Sequence, residues 1–381
     1  MSLTRRKTLA LIGGGVIVAA SGSAYSVTRP TETATLPWQQ AGRYDDIRMR
    51  ALSHAILAPN PHNRQPWIVD LARPDRVALH VDTNRLLPHT DPFSRQIVIG
   101  LGCFLEVMAL AAAAEGHGVD IDLFPQGEDA AALDARPVAV VHFRPGEGRA
   151  EPELAGQIAH RRSLKEPFDT TREVSADTLA ALVAAGARGT TLATTRVSAT
   201  VSALRTLTAD AFRIEFGTPR TYRESVELFR IGRREIDADP DGIDLGGPLF
   251  ETLHRTGLFT REGALAPDSF PYRSGLDMVT GNAMTGMAYI WQVTRGNTRA
   301  DQIAAGRDWV RLNLAATGLG LGVQPMSQAL QEFPEMAALY AKVHEMLAPE
   351  GGTVQMLGRL GYGPSVAPSP RWPLEAKLRT S

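Results

Sequence analysis

The chain has 381 residues, 44% of them hydrophobic and 21% charged, with 40 basic residues against 41 acidic ones and a formal net charge of −1. That balance excludes a basic nucleic-acid surface, and the length is enough to bury a substantial core. One cysteine, Cys103, excludes an intramolecular disulfide, and nine histidines without an H-E-x-x-H or Cys/His spacing give no metal site.

In chain order, the first segment is Thr4-Arg5-Arg6-Lys7-Thr8-Leu9 followed by an apolar stretch to about Ala20. It resembles a twin-arginine signal, with cleavage after Ala20 or Ala24. Interrupted by Gly13-Gly14-Gly15, the stretch is too short for a membrane span. The resemblance implies a signal over residues 1–24, a partner in the twin-arginine export machinery, and a periplasmic or cell-envelope location. Residues 25–40, with Thr, Pro and Glu, read as a linker.

From residue 41 the periodicity predicts a helix over 43–58, a hairpin over 67–82, an Ala/Leu-rich helix over 97–114, and strands at 119–124 and 138–143. Cys103 falls inside the second helix, where a buried, inert thiol is expected. Helices follow at 151–162, 175–186 and 198–216, with strands near 190 and at 288–294, 321–324 and 353–361. This is an α+β pattern. Between 216 and 281 periodicity weakens and Arg, Asp, Gly and Pro accumulate, so 217–280 is a candidate lid. Within it the charged stretch 230–235 reads as a solvated helix face.

The chain also carries an internal repeat. Gln96-Ile97, Gly100, Ala109 and Gly116 match Gln302-Ile303, Gly306, Ala315 and Gly322 at one offset of 206 residues. Each copy is preceded by another helix pattern, so the chain divides into halves at 41–150 and 151–381.

Four segments remain that this patterning does not explain. The run Pro59-Asn60-Pro61-His62-Asn63-Arg64-Gln65-Pro66-Trp67 joins a helix to a strand; its prolines restrict the backbone and its amides both donate and accept. Arg161-Arg162-Ser163 offers paired planar donors beside a hydroxyl. The others are Gly318-Leu319-Gly320-Leu321-Gly322-Val323-Gln324-Pro325-Met326-Ser327 and Ser369-Pro370-Arg371-Trp372-Pro373-Leu374. Neither glycine run follows a strand and opens a helix, so neither is a nucleotide fingerprint.

In this order the segments resemble the nitroreductase superfamily of FMN enzymes, and within it the tandem, single-chain Acg family, over nearly the whole chain beyond the signal. The resemblance implies two fused homologous halves, a pseudo-dimer of antiparallel or mixed sheets with long central helices, around one FMN, and a monomer because the halves are already joined. It implies that Arg161, Arg371 and Ser163 hold the phosphate, with Arg162 turned elsewhere. Asn63 and Gln65 would meet the ribityl chain or ring edge, with Asn60 or His62 beside them. Pro325, Met326 and Ser327 would lie against the ring, where relatives place a backbone N–H near flavin N5. The implied reaction passes two electrons through N5 to a small-molecule acceptor, a nitroaromatic or a quinone. The alternative is a flavin-sequestering protein whose lid stays closed. No side chain is assigned as general acid or base.

Overall fold

The computed structural model describes residues 32–379, so the expected signal and the start of the linker lie outside the described residues. The chain begins with helices α1 (Glu32–Gln40) and α2 (Ile47–Ala55), the latter capped by Asp46, whose side chain accepts from the Arg48 amide. Strands β1 (Trp67–Asp70) and β2 (Arg76–Val81), helix α3 (Arg95–Ala114), and strands β3 (His117–Leu123) and β4 (Pro137–Pro145) complete the first half. A one-turn helix α4 (Pro152–Ala155) leads to α5 (Ala176–Gly186) and β5 (Thr191–Thr195).

An insert follows, made of α6 (Ser198–Gly217), α7 (Pro219–Glu227), β6 (Phe229–Ile231), α8 (Gly232–Ala238), β7 (Ile243–Leu245), α9 (Pro248–Arg255), α10 (Arg261–Leu265) and α11 (Phe270–Ala283). The second half resumes with β8 (Ala288–Thr294), α12 (Arg299–Gly318), β9 (Gly322–Pro325), α13 (Ala337–Leu347) and β10 (Thr353–Gly361).

The two four-stranded sheets run β1-β2-β4-β3 and β5-β8-β10-β9, and every pairing in both is antiparallel. With the insert, α13 and the leading helices α1 and α4 set aside, each half has the same order of a helix, two strands, a long helix and two strands. Alternation does the local work: in β2 Val77, Leu79 and Val81 point into the core while their neighbours face outward. The fold is thus α+β with two like halves, as expected, and the only parallel pairing between its strands among the described residues is β6 with β7 in the insert.

The halves meet along α3 and α12, each 20 residues long. Their backbones cross at Gly102 and Gly306, where an added Cβ would stand 2.3 Å from the Ile303 carbonyl oxygen and 1.9 Å from that of Ile99. Only glycine permits that approach. The reciprocity of Ile99 with Ile303 and Gly102 with Gly306 sets the structural offset at 204 residues and corrects the expected 206. Two residues turn a helix by roughly 200°, so the other register would present the wrong face. Gly100 indeed faces Asn60 and Pro61, 3.1 and 3.3 Å from where its Cβ would be. Helix α3 is also long and apolar enough to cross a membrane, yet most of it is buried in this core.

Several other expectations need correction. Residues 32–40, read as linker, form α1, because Ala34 and Trp38 lie one turn apart and both are buried. The helix expected over 151–162 stops after one turn at Gly156, and successive short turns carry the chain to Arg161. The insert is helical rather than irregular: Thr260 and Ser269 cap α10 and α11, and Phe216, Tyr222 and Tyr272 stack beneath them with ring centroids 4.1 to 5.8 Å apart. Helix α13 was not anticipated. Finally, residues 369–379 leave the second half and strap the first: Arg371 N donates to the Ala34 carbonyl, Arg379 N to that of Val69, and Leu378 bridges Val69 in parallel.

Candidate functional site

The first half of α3 gathers three of the four segments, and the fourth, 369–374, joins them through Asn63 and Gln65. Gly100 abuts Asn60 and Pro61, the Gln96 side-chain amide donates to the Ser327 carbonyl at 3.3 Å, and Cys103 lies within electrostatic reach of Arg161. Gln96 to Cys103 spans about 10 Å of helix. Leu164 N donates to the Val323 carbonyl, tying the Arg161 segment to β9.

The loop before β1 holds unusual backbone. His62, Asn63 and Gln65 all have φ near +50°, a left-handed conformation that side chains other than glycine adopt only when the surroundings enforce it. The enforcing contacts are visible. The Asn60 side-chain oxygen accepts from the Gln65 amide at 2.7 Å. The Gln65 side chain, fully buried, donates to the Pro240 carbonyl at 2.7 Å and accepts from Trp372 N at 2.9 Å. Asn63 donates to the Pro370 carbonyl and accepts from Arg371, while Gly242 N donates to its own carbonyl. So Asn63 and Gln65 bind the loop to the insert above it and to the C-terminal strap.

Arg371 is 2% exposed, and its guanidinium donates to the Ile56, Leu57, Ala58 and Pro370 carbonyls, to Asn63 and to the Ser369 hydroxyl. Arg161, 4% exposed, makes only two long bonds, 3.3 Å to the Leu57 carbonyl and 3.5 Å to the Ser163 hydroxyl. Both arginines therefore meet at the carbonyls that follow α2. Among the described residues neither forms an ion pair. Burial and mutual repulsion push Arg371 down to about 9, and burial with Arg162 nearby pushes Arg161 down to about 10. Arg162 turns away, its guanidinium 4.5 Å over the Trp38 ring, with Arg371 5.3 Å from the same ring.

Met326 is packed in the second core and its N–H donates to the Leu357 carbonyl at 2.7 Å, so that amide is already engaged. Pro325 pairs with Gly358 at the end of β9, and Ser327 is half-buried beside Gln96.

Sequence reasoning missed Lys165 and Asp244. His62 is pushed down to about 4, first by burial and then by Lys165 and Arg64. Burial raises the Asp244 carboxyl against the pull of Lys165 and Arg371. Asp244 nonetheless keeps open surface, and His62 part of its own. Electrostatics link the four groups: Lys165 acts on both His62 and Asp244, and Asp244 acts on Arg371. Lys165 stands two residues beyond Arg-Arg-Ser and was legible in principle; Asp244 lies in the insert and carried no signal.

A buried latch closes the far side. Asp241, 3% exposed, accepts from Arg85 and, at 2.6 Å, from Arg230. Arg64 stands 4.0 Å away. Arg85 and Arg230 lower its carboxyl despite burial.

No family model matches the chain. Its sequence is 26% identical over 333 residues to the Mycobacterium tuberculosis H37Rv protein named "Putative NAD(P)H nitroreductase Rv3131", covering 84% of this chain and 87% of that one. It is 33% identical over 125 residues to "Putative NAD(P)H nitroreductase acg" of the same strain, covering 32% of this chain and 36% of the other. The crystal structure of the FMN-dependent nitroreductase NfnB from Mycobacterium smegmatis in complex with NADPH aligns at 18% identity with a TM-score of 0.35, covering 60% of this chain and 98% of that one. The relation therefore rests on the sequences. Over most of its length this chain is similar to the mycobacterial protein Rv3131, and over about a third of it to acg, both of which carry the NAD(P)H nitroreductase name.

Proposed function

We propose that the protein is an FMN-dependent oxidoreductase. The observation that carries this reading is the pair of buried guanidiniums, Arg161 and Arg371, which repel each other and form no ion pair among the described residues, Asp244 acting on Arg371 only from beyond ion-pair distance. Leaving such charges uncompensated costs several kcal/mol, and a phosphate dianion is the group whose chemistry cancels both. Arg161, with its two long bonds, has donors to redirect to a phosphate, and Ser163 adds a hydroxyl. Arg371 contributes charge while keeping Asn63 in place. His62, held neutral, and the pair Lys165 and Asp244 would border the remainder of the group, with Asn60, Asn63 and Gln65 fixing the loop's strained shape and Pro325 to Ser327 closing the β9 side.

Bound FMN would supply two-electron transfer at N5, to an acceptor of the nitroaromatic or quinone class. The chain's own task is to bind and orient it and to limit access through the insert. The nitroreductase names of the relatives support the same class.

A second reading, flavin sequestration without turnover, is favoured by the insert's direct contacts with the loop at Gly242 and Pro240. One experiment separates them. Purified chain is expected to show the absorbance of oxidised flavin, to bleach with dithionite and to recover its colour on adding a nitro compound. Yellow protein that resists reduction would mean sequestration, and colourless protein that takes up no FMN would end both readings. The twin-arginine-like Arg5-Arg6 segment supports export to the periplasm or envelope, which cell fractionation with Arg5 and Arg6 replaced by lysine would test.

A further inference from the structure

The stretch read from sequence as a solvated helix face lines a cleft of about 930 Å³ on the insert. Arg230, Arg233, Arg234, Arg255 and Arg261 border it, with His254. Against these five stand three carboxylates of the lining, Glu235, Asp239 and Glu251, and the buried Asp241 that already holds Arg230 at 2.6 Å, so the arginines keep an excess of one positive charge. The volume falls within the range of small-molecule sites, and a concave surface with an excess of one sign concentrates counter-ions.

The existing pairings do not exhaust the arginines. Glu235 accepts from Arg261 at 2.5 Å and from the Ile231 amide. Glu251 meets Arg255 at 3.3 Å, but that arginine side chain is 79% exposed, and such a pair contributes little. Arg234 is exposed and forms no ion pair among the described residues. Every basic side chain of the lining except His254 is a guanidinium, the planar fork that matches phosphate oxygens in pairs. Apart from His254 the lining has no ring to stack a base on, so its chemistry addresses phosphates rather than a heterocycle.

We propose that this cleft is a second anion site, taking a small ligand with a pyrophosphate group. It is built from residues other than those that would hold FMN and stands independently of that reading. The test is calorimetric titration of the full chain at low salt with sodium pyrophosphate, ADP and inorganic phosphate. Saturable one-to-one binding of pyrophosphate is expected, weaker by about tenfold for phosphate, and weakened by at least about tenfold in Arg234→Glu/Arg255→Glu, whose side chains are exposed and whose melting should not change. Arg161→Ala should leave the binding as it was. ADP binding more tightly than pyrophosphate would identify a nucleotide as the ligand, and equal affinity an oligophosphate itself. The proposal fails if pyrophosphate gives no saturable heat, if the double variant binds like the parent, or if Arg161→Ala abolishes the binding.

Discussion

In the first half the chain passes from α2 to β1 through residues 56–66; in the second it passes from α5 to β5 through 187–190 alone. The short joint is sealed from within. Asp308 of α12, 2% exposed, accepts from the amides of Arg188, Gly189 and Thr190 and from the Thr190 hydroxyl. At the equivalent place on α3 stands Phe104, which instead packs against Trp67 with ring centroids 5.0 Å apart. The long joint therefore has no carboxylate of its own, keeps three left-handed side-chain residues, and borrows its partners from the insert and the strap. A duplicated scaffold has satisfied one copy locally and left the other dependent on distant segments, which is where strain and unbalanced charge collect.

The most severe way to break this comparison is at the crossing that holds the halves in register. Gly306→Ala would drive a methyl into the Ile99 carbonyl, and a loss of about 3 kcal/mol or more is expected in denaturant unfolding. Asp308→Ala should cost about 3 kcal/mol, since it orphans three backbone donors at the sealed joint, and should leave FMN uptake by the other joint intact. Loss of FMN uptake in folded Asp308→Ala protein would show that the joints are not independent.

Arg161→Ala is expected to do the reverse, keeping the fold and weakening FMN retention by about 1.5 to 3 kcal/mol in a fluorescence titration. If neither Arg161→Ala nor Arg371→Ala changes retention, the phosphate lies elsewhere. Gln65→Ala cuts the ties to Pro240 and Trp372, and amide exchange at Trp372 should quicken by about tenfold, for a loss of about 1 to 2 kcal/mol.

The smallest effect is in pH. His62 has its affinity for protons lowered by folding, to about 4 from 6.5, so between those values the unfolded chain takes a proton that the folded chain refuses. Stability contributed by neutral His62 is present above pH 6.5 and falls as pH drops toward 4. Replacing it with Gln should flatten that slope in urea titrations across the window.

The strands and long helices were readable from sequence because their side chains repeat at the period of the element: Val77, Leu79 and Val81 in β2, or the apolar face of α3. The site was legible as motifs because Asn63, Gln65, Arg161 and Arg371 are polar residues that a core does not call for. What pattern could not give was relative placement. The 206 offset matched residue types but missed the helical face, which is decided by Gly102 meeting Gly306. The insert's short helices rest on three rings and a few caps, too little apolar repetition to register. Asp244 and Asp241 matter only through what they approach, and nothing in their own neighbourhood along the chain marks them. Asn63 and Gln65 were expected to face a ligand, and their amides prove to be occupied by the strap and the insert.

The strap has a bearing on biosynthesis. The half that emerges first from the ribosome lacks Arg371, the Trp372 amide and the Lys377 ammonium that donates to the Gln65 carbonyl at 2.9 Å. Its loop can be drawn into the strained shape only after residues 369–379 have been translated. If the proposed FMN binds there, chains ending before residue 369 would carry every strand of both sheets and still fail to retain it, so colour would report on translation through the strap.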